Sequence, residues 1–469
     1  MRKDKMQQKN TACEQLKLFT RDGEPVNGDA GGTGNTCETG AELSSRLERQ
    51  RSLTENILER IVDYGNLDKA YQRVKSNHGS SGIDGMEVEE LRIWLGDHLK
   101  ELQESILQEQ YEASAVRKVE IPKPTGGKRM LGIPTVKDRL IQQAIHQELT
   151  LYYDPRFSDH SYGFRPGKSA GQAILQASGY VAQGMEWVVD IDLEKFFDKI
   201  NHDRLMQRLG KGIGDKRLLR LINAYLKTGM MSEGLIEQRS AGTPQGSPLS
   251  PLLSNIVLDE MDRELEKRGL CFCRYADDCN IFVRSKKAGE RVLKSAIEFI
   301  EGKLKLKVNR AKSGVRHCSD VKFLGYTVMP EGKIRVADKS IEALKYKIKE
   351  CTRRNRGIAF EQIVKELNAI IIGWTNYFHL ANSWLTTYRE LDGWLRRKLR
   401  CYRLKQCGRK HTIFKFLRSF NIPVRACWNI VMYSHGWWNM SQKKAVNKAM
   451  NLLWFASIGL QSLQVRMTR

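Results

Sequence analysis

The sequence has no C-x-x-C pair among its ten cysteines, and no apolar run approaches the roughly 20 residues of a membrane-spanning helix. These absences argue against a zinc ribbon, a disulfide scaffold and a membrane protein. The first ten residues include basic side chains but no following apolar stretch, so no secretory signal is predicted. With 41% hydrophobic and 28% charged residues among 469, the composition predicts a cytoplasmic globular protein of about two or three domains.

Acidic residues are scarce relative to basic ones: 54 stand against 78 lysines and arginines, a formal net charge of +24. The surplus is concentrated in residues 341–469, which hold 24 basic and 6 acidic residues and seven of the nine tryptophans. Basic side chains neutralise a phosphate backbone, and aromatic rings between them can stack on unpaired bases. This part of the chain is therefore predicted to bind RNA or single-stranded nucleic acid.

Proline is missing between Pro330 and Pro423, which predicts a mostly helical structure for that basic stretch. Apolar side chains recur there at helical spacings and predict one buried stripe, formed by Tyr377, Trp384, Tyr388, Leu391, Leu395, Leu399 and Tyr402. The outer face would then carry the candidates for contacting nucleic acid, Arg396, Arg397, Lys398, Arg400 and Arg403. For Trp384 and Trp394, a place in the helix core is favoured over base stacking.

Helical and strand patterns alternate in the first two thirds of the chain. Residues 1–52 are rich in Gly, Thr and Asn with few large apolar side chains, and predict a mobile leader. Helices are predicted over 53–74, 86–106, 137–151, 201–226 and 288–304. Strands are predicted over 116–121, 187–193 and 306–309, on both sides of residues 275–278, and in a hairpin over 323–336. The predicted fold class is α+β followed by an all-helical part.

Two acidic clusters lie far apart in the sequence. Asp190, Asp192 and Asp198 follow an apolar strand, and Asp277 and Asp278 lie between two strands. A solvated turn explains either cluster alone, but unpaired charge between apolar strands is costly, which favours metal ligation. Carboxylates at adjacent strand ends can hold two Mg²⁺ ions about 3.5–4 Å apart, as in polymerases. By strand parity, Asp190 and Asp192 share one face.

The motifs around these aspartates resemble reverse transcriptases encoded by bacterial group II introns. They are DLEKFFD at 192–198, GTPQGSPLSP at 242–251 and YADD at 275–278. Further matching motifs lie at 79–85, 121–124, 131–135, 162–167, 304–309, 323–326 and 373–378, so the resemblance spans about 53–405. The sequence is similar to the compact, group IIC-like members that lack a C-terminal endonuclease, in agreement with the missing Cys/His metal spacing.

The resemblance implies a right-hand polymerase fold, with fingers and a palm built on an antiparallel sheet, then a helical thumb. The implied divisions are a leader at 1–52, an N-terminal extension and fingers at 53–186, the palm at 187–338, the thumb or maturase domain at 339–410, and a small basic region that resembles a DNA-binding domain at 411–469.

The resemblance also implies which residues act in catalysis. Asp192, Asp277 and Asp278 correspond to the metal-binding aspartates, and this correspondence favours Asp192 over Asp190. Two Mg²⁺ ions, which Mn²⁺ could replace, are the implied cofactors. Asp198 is interpreted as a structural hydrogen-bond partner. Cys271, Cys273 and Cys279, which flank the YADD turn, are interpreted as buried small residues rather than metal ligands.

Nucleotide binding is assigned in the same way. Lys123, Arg129 and Arg117 resemble the basic groups that clamp the triphosphate, and Gln245 resembles the residue that lines the incoming nucleotide. Phe197 resembles the aromatic ring that blocks a ribose 2′-hydroxyl, the alternative being a core phenylalanine. Ser247 occupies a position where many members have glycine.

For nucleic-acid binding, the resemblance implies that Arg165 contacts the template backbone. Lys312 is implied to assist pyrophosphate departure, with a plain surface lysine as the alternative. Together with Arg396, Arg397 and Arg400, these residues form the predicted contacts to nucleic acid.

The implied function is an RNA-directed DNA polymerase that is also a maturase, one that helps its intron RNA to splice and then copies it. The implied partners are group II intron RNA, an RNA template with a DNA or RNA primer, target DNA and dNTPs, with no membrane. Two alternatives stay open: a splicing chaperone with a vestigial polymerase site, and a related reverse transcriptase domesticated for host defence or repair.

Overall fold

Two four-stranded sheets precede a long run of helices in the computed structural model, which describes residues 56–122, 128–232, 235–237, 242–243, 246–383, 385–434 and 436–468. The predicted leader, residues 1–52, lies outside the described residues. The helices before the thumb are α1 (Ile57–Val62), α2 (Tyr64–Ser76), α3 (Leu91–Leu107), α4 (Val136–Tyr153), α5 (Ala170–Ala182), α6 (Phe196–Lys199), α7 (His202–Gly212), α8 (Lys216–Lys227), α9 (Ser250–Lys267) and α10 (Lys286–Phe299).

The fingers sheet has the strand order β2-β1-β4-β5. Its strands are β1 (Val116–Pro122), β2 (Lys128–Ile133), β4 (Met230–Ser232) and β5 (Leu235–Glu237). β1 is the strand that the pattern over 116–121 predicts; it pairs with β2 in antiparallel orientation, and β4 runs parallel to β1. Helix α4 begins directly after β2, where the Thr135 hydroxyl accepts a hydrogen bond from Asp138 N.

The palm sheet has the order β6-β7-β3-β8 and is antiparallel throughout. Its strands are β3 (Trp187–Ile191), β6 (Cys271–Tyr275), β7 (Asp278–Val283) and β8 (Gly314–His317). Alternate residues of β3 and β7 enter two different cores, since side chains on a strand alternate between faces. Val189 and Ile281 pack among the fingers and palm helices, while Val188 and Phe282 pack with α5 and the thumb.

Two helical predictions are too long. The pattern over 53–74 forms two helices because Asp63 caps the second, its carboxylate accepting a hydrogen bond from Gly65 N. The pattern over 201–226 is likewise divided, where Asp215 accepts a hydrogen bond from Arg217 N and starts α8. Polar N-caps restart a helix along one continuous apolar stripe, so periodicity alone does not reveal the break.

The strand predicted over 306–309 is wrong. After α10 the helix widens into a π-turn at Ile300–Leu304, and Lys305 takes a left-handed conformation with φ 56°. The following residues contribute one isolated bridge, between Val308 and Leu193, instead of a strand. The hairpin predicted over 323–336 is present as β9 (Tyr326–Val328) and β10 (Ile334–Val336), with its turn at Pro330–Gly332.

The basic C-terminal stretch is helical, as the missing prolines predict. Its helices are α11 (Asp338–Cys351), α12 (Phe360–Tyr377), α13 (Leu385–Cys407), α14 (Lys410–Arg418), α15 (Val424–Tyr433), α16 (Trp437–Met440), α17 (Lys444–Ala449), α18 (Leu452–Ser457) and α19 (Leu463–Met467). The predicted stripe on α13 is buried, including Tyr388, Leu395 and Leu399, whereas Tyr377 is 47% exposed. Trp384 lies outside the described residues.

A single apolar core joins the palm to the thumb. It contains Val188 and Phe282 of the palm sheet, Ile174 of α5, Leu395 of α13 and Leu463 of α19. We name this set the palm–thumb core. Within the described parts of the chain, no helix combines the length and the apolar character that crossing a bilayer requires.

Candidate active site

The register of the palm sheet brings the two acidic clusters together. Ile191 of β3 pairs with Cys279 of β7, so the next step along both strands places Asp192 opposite Asp278. Neighbouring strands lie about 5 Å apart. Asp190 pairs with Asn280 in the same ladder and therefore lies on the same face. Three carboxylates thus share one face of the sheet at its open end.

The turn between β6 and β7 carries Asp277. Tyr275 pairs with Asp278, which leaves Ala276 and Asp277 as the two turn residues, and Ala276 has φ 59°. Gly163 lies directly against this turn, because a methyl group in place of its hydrogen would lie 2.3 Å from Ala276 N. The close approach of the two backbones therefore requires glycine at position 163.

The fully buried Arg274 fixes this turn from inside the palm. Its guanidinium donates two hydrogen bonds to the Asp262 carboxylate, at 2.7 and 2.5 Å, and one at 2.8 Å to the carbonyl of Ala276. Further hydrogen bonds reach the Asn255 amide oxygen and the Ser161 hydroxyl. The guanidinium of Arg274, paired with the Asp262 carboxylate, thus holds Ala276, the residue that precedes Asp277.

The carboxylates on this face repel one another. Burial, followed by the charges of Asp190, Asp277 and Asp192, raises the pKa of Asp278 to about 7. Asp192 is held through its backbone: its N–H donates to the Ser313 hydroxyl at 2.9 Å, and its carbonyl accepts from Asn309 N at 2.8 Å. Its Oδ2 atom is buried and accepts no hydrogen bond, although the Lys312 ammonium pairs with it at 3.3 Å.

These observations fit a site for a divalent cation. Two features are stabilised by an added positive charge: the set of mutually repelling carboxylates, and the buried Asp192 Oδ2 atom, which has only the exposed Lys312 as a cationic neighbour and accepts no hydrogen bond. Among the described residues, no group of three His, Cys, Asp or Glu side chains is arranged to hold a metal ion by itself. Mg²⁺ is usually held by one or two carboxylates together with substrate phosphates, so a pair such as Asp192 and Asp277 suits it.

A cleft of about 960 Å³ opens beside Asp277. Its lining comes from α2, α4, the 162–168 loop, the loop before α9 and the YADD turn, and includes Arg73, Arg139, His146, Phe164, Lys168, Phe197, Ser247, Tyr275 and Asp277. Burial and the neighbouring Arg73 lower the pKa of His146. The cleft combines the cationic side chains of Arg73, Arg139 and Lys168 with the Asp277 carboxylate, and therefore suits a polyanion beside a metal site.

Phe197 lies in this cleft, whereas its neighbour Phe196 is in the core. Phe196 is buried, and the two rings meet edge to face with centroids 5.3 Å apart. Phe197 is half-buried, and its carbonyl accepts a hydrogen bond from Thr243 N at 2.6 Å, which ties it to the 242–251 loop. Phe197 and Asp277 thus line the same cleft.

Ser247 connects the 242–251 loop to the fingers. Its hydroxyl donates a hydrogen bond to the Gln142 amide oxygen on α4 and accepts one from Leu249 N at 3.3 Å. A glycine at this position would lack both contacts. Serine at position 247 therefore forms two hydrogen bonds that a glycine could not form, and it lies in the same loop of the sequence as Gln245.

The structure describes only some of the residues that are predicted to bind the triphosphate. Lys123 and Gln245 lie outside the described residues, and Arg129 is described by its backbone on β2, opposite Ile121. Arg117 lies on β1 opposite Ile133, with a buried Nε atom that has no hydrogen-bond partner. Arg139, which the sequence gave no reason to select, lines the cleft and donates to the carbonyl of Ser80.

Arg165 forms several hydrogen bonds within the protein. Its side chain is only 5% exposed, and it donates to the Asp154 carboxylate at 2.7 Å and to the backbone carbonyls of Asp154, Ser158 and Ser161. A guanidinium with these contacts is already committed to internal acceptors. Arg165 therefore holds the loop in shape and also lines the cleft, and its contact with a template backbone stays a prediction.

The C-terminal helices cover part of the predicted outer face of α13, and contact of Arg396, Arg397 and Arg400 with nucleic acid stays a prediction. Arg400 donates two hydrogen bonds to the carbonyl of Met450, and the Arg397 guanidinium lies 3.6 Å from the Trp438 ring centroid. Arg396 is half-buried, and burial lowers its pKa. Arg396 and Arg400 are thus partly covered by other parts of the protein. The sequence alone could not predict this, because it depends on how the C-terminal helices pack against α13.

Two family models match the chain. One, described as reverse transcriptase (RNA-dependent DNA polymerase), matches residues 121–328, and the other, described as the group II intron maturase-specific domain, matches residues 341–419. Reverse transcriptase domains are generally metal-dependent, in agreement with the carboxylate site.

Individual proteins give the same result. Protein YkfC of Escherichia coli is 31% identical over 322 residues, which cover 57% of this chain and 84% of YkfC. The group II intron-encoded protein LtrA of Lactococcus lactis is 30% identical over 351 residues, which cover 59% of this chain and 58% of LtrA. A solved structure of telomerase from Candida albicans covers 73% of this chain and 68% of its own at 12% identity, a weak likeness with a TM-score of 0.40. The chain belongs to the family of group II intron-encoded reverse transcriptases and maturases.

Proposed function

We propose that this protein copies RNA into cDNA from a DNA or RNA primer, using dNTPs and two Mg²⁺ ions, and that in the cytoplasm it binds group II intron RNA to assist splicing and insertion into target DNA. The observation that carries the proposal is the convergence of Asp192 and the Asp277–Asp278 turn at one end of the palm sheet, beside the cleft that Phe197 lines. Binding, alignment and charge stabilisation are what such a site can contribute to phosphoryl transfer.

Asp192 and Asp277 would hold the ions. When bound, Mg²⁺ would lower the pKa of a primer 3′-hydroxyl and stabilise the charge that develops on the α-phosphate and on the leaving pyrophosphate. The Ser313 hydroxyl and Asn309 N fix the backbone of Asp192, and Arg274 fixes the turn before Asp277. Lys312, 69% exposed and paired with Asp192, is placed to move to a departing phosphate.

The experiment that tests the proposal is primer extension by the purified protein on a generic RNA template, with dNTPs and Mg²⁺. cDNA synthesis supports the polymerase. No extension under conditions where the protein still binds RNA would favour a splicing chaperone with a vestigial site. Removal of divalent ions with EDTA is expected to stop synthesis and leave RNA binding in place.

Sugar selection is assigned to Phe197. Replacing Phe197 with valine should raise incorporation of rNTPs relative to dNTPs by roughly 10- to 100-fold, because the half-buried ring that would face the 2′-hydroxyl is removed. The measurement is the ratio of kcat/KM for rNTP and dNTP. Phe196→Val is the matched control: this core ring should lower stability without changing the ratio. An unchanged ratio in Phe197→Val would make Phe197 a core residue only.

RNA binding by the thumb is assigned to four cations, Lys349, Arg354, Arg397 and Lys398, which we name the thumb cation cluster. Burial, with Lys349, Arg354 and Arg397 nearby, lowers the pKa of Lys398. The Lys398 ammonium lies 5.1 Å from the Trp438 centroid and 5.7 Å from that of Trp394. Within the described residues, none of the four forms an ion pair with a carboxylate, so a phosphate backbone would relieve their repulsion.

The double change Arg354→Gln/Lys398→Gln should weaken binding of a single-stranded RNA by roughly tenfold and flatten the salt dependence by about two phosphate contacts. The readout is RNA affinity as a function of salt concentration. Lys286→Gln/Lys287→Gln, which removes the same charge from the exposed start of α10, is the control. Equal losses in the two variants would show that net charge alone accounts for binding, and would remove the cluster's special role.

A further inference from the structure

Asp190 is a third carboxylate beside the site, and the mechanism above does not use it. It lies two residues before Asp192 on the same face of β3, about 6–7 Å away along the strand. An ionised carboxylate this close to Asp192 and Asp278 could capture a divalent cation and draw it away from the primer end.

Arg316 of β8 holds Asp190. Its Nη1 atom donates to Asp190 Oδ2 at 2.6 Å, and its Nη2 atom donates to the carbonyl of Lys312 at 2.6 Å. The register explains the contact: Gly314 lies directly opposite Asp190, and Arg316 lies one step further on the same face. Gly314 has no side chain, and even a methyl group there would lie 3.8 Å from Arg316 Nη2, so the guanidinium can reach across it.

The two neighbouring aspartates are therefore paired with cations of different character. Lys312 is 69% exposed and meets Asp192 at 3.3 Å, and Asp192 Oδ2 accepts no hydrogen bond. Arg316 is 37% exposed and is anchored at both ends of its planar guanidinium, at 2.6 Å each. The flexible ammonium of Lys312 can move away from Asp192 when a metal ion binds, whereas the Arg316 guanidinium, held by two hydrogen bonds, stays with Asp190.

We propose that Arg316 is a positioning residue that keeps Asp190 paired and thereby confines metal ligation on this strand to Asp192. The inference rests on the proposed metal-assisted polymerisation. Metal binding can nevertheless be measured without turnover, so the two claims fail separately.

The test compares Arg316→Met, Asp190→Asn and the double variant with the wild-type protein. The first readout is Mn²⁺ binding to the full chain without nucleotide, followed by electron paramagnetic resonance; the second is primer extension at limiting Mg²⁺. Arg316→Met should bind Mn²⁺ more tightly or with a further ion, and should extend primers roughly tenfold more slowly. Asp190→Asn alone should change both readouts little, and adding it to Arg316→Met should restore both.

Three results would overturn the proposal. If Asp190→Asn lost as much Mn²⁺ binding as Asp192→Asn, Asp190 would itself be a ligand. If the double variant were no better than Arg316→Met, Arg316 would act on substrate directly. If Arg316→Met left Mn²⁺ binding unchanged, the pairing would have no role in metal selection. Should Arg316→Met fold poorly, Arg316→Lys and Asp190→Asn carry the test. Arg316→Lys, with one flexible ammonium in place of the guanidinium, should bind Mn²⁺ more tightly than the wild-type protein, and unchanged binding would overturn the role given to the guanidinium.

Discussion

Replacing Asp277 with asparagine is expected to lower the rate of dNTP incorporation by about a thousandfold or more. Asparagine keeps the size of the side chain but removes the negative charge, and the charge stabilisation supplied through a metal is worth several kcal/mol, where each ~1.4 kcal/mol is a factor of ten. The measurement is single-turnover primer extension on an RNA template. Asp192→Asn should give a loss of the same order, since both carboxylates are proposed to hold the same pair of ions.

Two controls separate this effect from misfolding. Asp320→Asn removes an exposed carboxylate from the turn before β9 and should keep wild-type activity. RNA affinity and the melting temperature of Asp277→Asn should also stay close to the wild-type values. Full activity in Asp277→Asn would remove the metal assignment, and with it the mechanism proposed above.

The second large effect is expected at Arg274, through stability as well as activity. Arg274 and Asp262 are both fully buried, and Arg274→Met would leave the Asp262 carboxylate without its partner. Breaking one side of a buried pair costs about 3–5 kcal/mol, which denaturant unfolding can measure. Activity should fall too, because the Ala276 carbonyl in the turn before Asp277 loses its donor.

The double variant Arg274→Met/Asp262→Asn distinguishes the two contributions. It removes the uncompensated charge and should recover much of the lost stability, yet primer extension should stay low because the turn remains unsupported. Arg263→Met is the matched control, since Arg263 is half-exposed and its ion pairs are worth at most about 1 kcal/mol. If the double variant regained full activity, Arg274 would be required for stability alone.

Three of the four palm strands, β3, β6 and β7, follow the sequence prediction because their patterns are local, whereas β8 was not predicted. Short apolar stretches on either side of Asp277 and Asp278 define β6 and β7. The alternation of side chains along β3 places Asp190 and Asp192 on one face. Arg274 was missed, although a signal was present: it lies two residues after Phe272 and therefore on the same buried face of the strand, where a charged residue needs a buried partner. Its partner Asp262 lies on α9, which no local pattern connects with β6.

The internal contacts of Arg165 and Arg400 could not be predicted, for one physical reason. Arg165 and Arg400 both donate to backbone carbonyls of segments that are distant in sequence or follow an irregular loop. Carbonyl groups occur at every position, so no residue type marks where a buried arginine will find its acceptor. Family resemblance identifies a position, whereas the contacts of its side chain depend on how the C-terminal helices and the 158–161 loop pack.

The palm–thumb core has a consequence for protein engineering. Val188 and Phe282 of the palm sheet share that core with Leu395 and Leu463, on either side of the boundary predicted at residue 338. A thumb grafted from another member of the family would have to fill the same apolar space beneath the catalytic face, or leave voids there. Chimeric enzymes from this scaffold are therefore expected to need matched substitutions on α5 and β7, and truncation at the end of β10 would leave an apolar sheet face open to aggregation.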